Sequence, residues 1–154
     1  MDDLARFFPD GDRLDPQAVR AAGLAAMPLP ELAAGEEIIA LGALSGGGPV
    51  TLWSREFGKP PQPHGGLDPA DAARLAFELG AYDLLLAFSG GLRLWMPGEH
   101  EYFVLFGPPA ALEAVRQAGI FTYPYEDYLE APHHSPRSAA ALAEIGRRYD
   151  IAAG

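Results

Sequence analysis

The chemistry open to this chain is bounded by four histidines, at 64, 100, 133 and 134, and by the absence of cysteine. Without a thiol there is no disulfide, no thiolate metal site and no cysteine nucleophile. Glu99-His100-Glu101 sets two carboxylates around an imidazole. In extended backbone, residues i and i+2 share a face, so Glu99 and Glu101 converge while His100 points away. A metal there needs further ligands, from Asp83 or from His133 and His134, and nothing in the spacing fixes those distances. We therefore read the turn as a hydrated hairpin tip whose charges oppose strand slippage, and expect no metal. His133 and His134 are adjacent in a proline-bounded linker, not at the i, i+4 spacing that puts two imidazoles on one helical face. Ser135 beside them suits a helix cap better than a nucleophile, and no Gly-x-Ser-x-Gly elbow occurs. The glycine clusters Ser45-Gly46-Gly47-Gly48 and Ser89-Gly90-Gly91 lead from strand to strand. A phosphate loop instead opens into a helix N-terminus with a cation near it, and Lys59, the chain's single lysine, lies elsewhere. No cofactor is expected.

Two stretches carry binding chemistry. Phe121-Thr-Tyr-Pro-Tyr-Glu-Asp-Tyr-Leu-Glu130 concentrates aromatics at 121, 123, 125 and 128 with acids at 126, 127 and 130 and no base. Aromatic rings supply contact area at protein interfaces, and carboxylates steer and pair with Arg or Lys. Tyr123, Tyr125, Glu126, Asp127 and Glu130 are thus the candidate contacts for a protein partner, with Phe121 and Tyr128 assigned to the core. The second stretch is the sheet face that holds Arg93 and Trp95. If that face were open, Arg93, Trp95 and Phe103 would line a ligand pocket with Glu99, His100 and Glu101 at its rim, and Arg93 would clamp an anion.

Charge narrows the partner. Twenty-one acids against eleven bases give a net charge of -10, and residues 31–130 alone hold fourteen acids against five bases. Nucleic-acid binding would have to overcome phosphate repulsion, whereas a basic protein would be attracted. The apolar runs fall far short of the ~20 residues a bilayer requires, so no membrane partner is expected. The opening Met-Asp-Asp-Leu-Ala-Arg lacks the basic-then-apolar order of a secretory signal, which points to the cytoplasm. Ten of the eleven bases are Arg, a bias of GC-rich coding that suits a bacterial source.

These residues must be positioned by elements that prolines and glycines delimit. Asp15-Pro16 starts a helix to about Ala26, which Pro28 and Pro30 stop. The branched apolar run Glu36–Leu44 and Val50–Ser54 read as two strands joined by a glycine turn. Residues 57–67 read as a loop, because three prolines and three glycines remove ladder donors and stiffness. Asp68-Pro69-Ala70-Asp71 is the strongest helix start in the chain, and that helix reaches Leu79. Residues 82–88, 92–96 and 101–106 form an antiparallel meander joined by short turns. A helix from Pro108 ends at Gly119, Ile120–Tyr123 reads as a last short strand, and Ser135-Pro136 caps a final helix with Leu142, Ile145 and Tyr149 on one stripe. The chain is expected to be one α+β domain spanning 1–154, a mixed or mainly antiparallel sheet of about five strands covered by about four helices. The function this supports is that of a non-enzymatic acidic module that binds a basic protein, for example an inhibitor or immunity-type protein masking a cationic partner. The alternative is a small-molecule binder or enzyme using the Trp95/Arg93 pocket, and a homodimer is a third arrangement.

Overall fold

Alternation of side chains across a pleated backbone organises the centre of the molecule. Six strands, β1 (Ala25–Pro30), β2 (Val50–Arg55), β3 (Gln62–Leu67), β4 (Asp83–Ala87), β5 (Arg93–Met96) and β6 (Tyr102–Gly107), form one open sheet. Their order is β1-β6-β5-β4-β2-β3, and every neighbouring pair is antiparallel. The computed structural model describes residues 3–11, 13–30, 35–98, 102–121, 125–131 and 134–151. Seven helices are found among them: α1 (Asp3–Phe7), α2 (Pro16–Ala21), α3 (Gly35–Leu44), α4 (Pro69–Glu78), α5 (Pro109–Ala118), α6 (Tyr125–Leu129) and α7 (Pro136–Tyr149). The expected α+β class holds, with the meander as β4, β5 and β6. None of these helices is long and apolar enough to cross a membrane.

Apolar residues on both faces of the sheet are matched by helices on both faces. Leu52, Leu84, Leu86, Leu94, Phe103 and Leu105 meet α3, α4 and α5 through Ile38, Leu41, Ala72, Ala76, Leu112 and Val115. Their strand neighbours Leu85, Trp95, Tyr102, Val104 and Phe106 point the other way, to Phe7, Phe8, Val19, Leu142 and Tyr149 of the terminal segments. Burial of this scale, at roughly 25 cal/mol per Å² of apolar surface, is what holds a three-layer domain together. The caps behave as read from sequence. Asp68 Oδ1 accepts from Asp71 N at 2.8 Å, Ser135 Oγ accepts from Ser138 N at 3.1 Å, and a proline follows each cap.

Three expectations are overturned. The run Glu36–Leu44, expected as a strand, is helix α3, in which Ile38, Leu41 and Gly42 are buried at helical spacing and Glu36 and Glu37 sit in the first turn. Two adjacent isoleucines suggested a strand, but the packing partner decides, since α3 lies directly on α4. A Cβ on Gly42 would come within 2.4–2.5 Å of the Pro69 ring, so only glycine permits this approach. The first long helix, expected to reach Ala26, ends at Ala21, and Ala25–Pro30 is strand β1. Residues 62–67, expected as loop, form β3. Both misread strands are sheet edges, where one side of the backbone needs no ladder partner and proline is tolerated. For the expected strand at 120–123, Ile120 and Phe121 lie outside any strand, and Thr122 and Tyr123 lie outside the described residues.

Candidate functional site

The sheet face bearing Arg93 is filled. Alternation along β5 puts Arg93 and Trp95 on one side, and pairing with β6 sets them opposite Phe106 and Val104. Phe103 therefore projects to the opposite face, in the core beneath α3 to α5. The expected grouping of Arg93, Trp95 and Phe103 in one pocket is thus corrected by strand parity. All three guanidinium nitrogens of Arg93 donate: Nε to Asp3 Oδ2 at 2.6 Å, Nη2 to Asp3 Oδ1 at 3.2 Å, and Nη1 to the Gly91 carbonyl at 2.9 Å. The same group lies 5.0 Å from the Phe7 ring centroid and 5.9 Å from that of Phe106. The expected anion clamp is a clamp on α1. Trp95 is buried, edge-on to Phe8, Tyr102 and Tyr149 at 5.7, 5.8 and 5.7 Å. What remains open beside it is a cleft of about 60 Å³ between Trp53, Trp95, Leu4, Phe8 and Pro61, rimmed by the ion pair of Arg55 with Asp83. That volume admits little more than one or two waters. Asp83 also accepts from Gly98 N at 2.6 Å, which ties the carboxylate to the fold. Glu99, His100 and Glu101, the expected rim, lie outside the described residues.

Sequence reading missed one pair. Ser54, the one buried polar residue among those described, places its Oγ 3.3 Å from His64 Nε2. A hydroxyl beside an imidazole is the start of a nucleophile–base pair, but no carboxylate orients His64 among the described residues. The contact satisfies a hydroxyl that the inward phase of β2 buries. A serine in phase with Val50 and Leu52, with a histidine across the following hairpin, was the available signal. Among the described residues no group of three or more His, Asp or Glu is placed to hold a metal ion.

Within the Tyr-rich acidic segment, Tyr125–Leu129 form α6, and helical periodicity sorts them. Tyr125 turns inward, where its hydroxyl donates to the Leu142 carbonyl at 2.8 Å. Its ring covers Gly146 of α7 so closely that a Cβ there would sit 3.1 Å away. Tyr125 was expected as a free partner contact; it is instead an anchor between α6 and α7, because its position shares a face with Leu129 one turn on. Tyr128, assigned to the core, is half-buried, and its ring lies 6.1 Å from that of Tyr125. Glu126, Asp127 and Glu130 are exposed, as their periodicity requires. Tyr123 lies outside the described residues.

Around Tyr125 opens a groove of about 560 Å³ along the outer edge of β1, beyond its bridge to Ile151. Its floor is apolar, built from Met27 and Leu29 of β1, Val115 of α5, Phe121, and Leu129 of α6. Its rim is charged. Arg116 pairs with Glu113 at 3.7 Å and Arg147 with Glu144 at 2.6 Å, each within its own helix. That contact holds the Glu144 carboxyl below its usual range, through the hydrogen bond first and the charge second. Glu126 and Asp150 on the same rim have no ion-pair partner among the described residues, so the groove's uncompensated charge is negative. Of the expected partner contacts, the fold brings Tyr125 and Glu126 to this groove, while Asp127 and Glu130 do not line it. Compared with known proteins, the chain matches no family model, no curated protein and no solved structure.

Proposed function

We propose that this chain is a non-enzymatic acidic module that binds a basic protein, in the manner of an inhibitor or immunity-type protein that masks a cationic partner. The observation that carries the reading is the β1-edge groove, where an apolar floor is rimmed by Glu126 and Asp150 while the rim arginines are matched within their own helices. An apolar centre ringed by charge is the anatomy of a protein interface, and the net charge of -10 gives the long-range attraction its sign. The Trp95/Arg93 reading has less support, since Arg93 is committed to Asp3 and the neighbouring cleft is small.

The test is recovery of partners from the native host at low and high salt, followed by titration of the purified partner. The expected result is a protein of pI above ~9 whose affinity falls steeply with ionic strength. A neutral or acidic partner captured equally at both salt concentrations would overturn the reading.

A further inference from the structure

The open edge of β1 has a polarity that side-chain patterns alone do not show. Ala26 uses both its amide and its carbonyl outward: Ala26 N donates to the Ile151 carbonyl at 3.0 Å, and Ile151 N donates to the Ala26 carbonyl at 3.0 Å. In an antiparallel strand the amide and carbonyl of one residue point the same way and the direction alternates. Residues 28 and 30 therefore also face outward, away from β6, and both are proline. They carry outward carbonyls and no N–H, spaced ~6.8 Å apart along the strand, and both line the groove, Pro28 half-buried and Pro30 buried. Past Ile151, the edge is thus an acceptor-only surface, and it lies in the groove that Glu126 and Asp150 rim.

We infer that this groove takes Arg or Lys side chains of a partner segment, held by the Pro28 and Pro30 carbonyls together with Glu126 and Asp150, and rejects a partner strand. The inference rests on the reading of the chain as a binder of basic proteins and specifies how the groove would make that choice. A β-strand added to an edge brings alternating donors and acceptors, and here its carbonyls would face proline rings with nothing to accept from. Guanidinium and ammonium groups are donors only, so they match carbonyls and carboxylates without leaving an orphan. The apolar floor of Met27, Leu29, Val115, Phe121 and Leu129 then receives the aliphatic stems and any Leu or Ile between the cations. By the same logic a second copy of this chain cannot pair its β1 edge with this one, as two acceptor-only edges offer no donor.

The test uses the full isotope-labelled chain and three synthetic peptides of equal length: a Leu/Arg amphipathic peptide, its Leu/Gln counterpart, and an uncharged Val/Thr strand-former. The expected result is that Leu/Arg binds, shifting the amide resonances of Met27, Leu29, Phe121 and Leu129, with Leu/Gln weaker by roughly tenfold or more and Val/Thr not binding. The double variant Glu126→Gln/Asp150→Asn, checked for an unchanged melting curve, should weaken Leu/Arg binding by roughly tenfold. Equal binding of Leu/Gln, or strand addition by Val/Thr, overturns the inference. Binding of Leu/Arg elsewhere, unaffected by the double variant, also overturns it while leaving the wider reading of a basic partner intact. If no peptide binds, the groove assignment fails, and the partner-recovery experiment judges the wider reading separately.

Discussion

The two candidate regions place their charges in opposite ways. At the Trp95 face, Arg93 is mostly buried, all its nitrogens donate within the chain, and aromatic rings close over it. At the β1 edge, Glu126 and Asp150 stay exposed above an apolar floor, and past Ile151 the strand's outward carbonyls have no hydrogen-bond partner among the described residues. A charge whose partners lie within the fold stabilises the fold, and a charge left without them is available to another molecule. By this criterion the region with the more conspicuous chemistry, Trp and Arg on a strand, is structural, and the acidic edge is the one we propose as an interface.

That contrast breaks if the wrong variants unfold. Trp95→Ala should cost the most, about 3–5 kcal/mol by chemical denaturation, because it removes a buried indole that three rings pack against. A cost below ~1 kcal/mol would mean that the face is loosely filled and open to a ligand. Asp3→Asn should cost about 1.5–3 kcal/mol, since it replaces a charge-assisted bidentate contact and leaves a guanidinium without its counter-ion. No measurable change would return Arg93 to the list of ligand-binding groups.

Tyr149→Phe sharpens the same comparison at about 0.5–1.5 kcal/mol, through loss of its hydroxyl's hydrogen bond to the Leu14 carbonyl at 2.8 Å. It has a pH signature as well. Burial raises the Tyr149 pKa above its ordinary value, with a smaller opposing effect from Arg148. The folded state then holds the phenolic proton more tightly than the unfolded state. This contribution is complete below ~10, the unfolded pKa, and is lost as pH rises through the folded one. Denaturation curves on either side of ~10 should show the wild type losing more stability than Tyr149→Phe. The smallest effect belongs to Glu126→Gln/Asp150→Asn, which should leave stability within ~0.5 kcal/mol of wild type, measured beside the binding titration. A larger loss would make the groove's acids structural and erase the distinction between the two regions.

Much of the fold was legible wherever local chemistry and tertiary demand agree. Asp68 and Ser135 with their following prolines mark helix starts by satisfying orphan amides, an interaction complete within one turn of chain. The meander was legible because apolar residues on both strand faces and short turns leave few other pairings. The acidic balance and the lack of thiols likewise follow from residue composition alone.

The tertiary structure alone decided what depends on a distant neighbour. Glu36–Leu44 is a helix because α4 offers a surface that Gly42 can approach, and two isoleucines in sequence carry no word of Pro69. Tyr125 is an anchor because Gly146 and the Leu142 carbonyl lie beneath it. Arg93 is a clamp because a strand ninety residues away from Asp3 in sequence is adjacent to it in space. Proline at 28 and 30 reads locally as a stop; only the pairing of β1 with β6 on one side turns it into an acceptor-only edge on the other. Backbone propensity and capping are summed over a few residues, whereas burial, pairing and edge position are properties of the whole chain's packing.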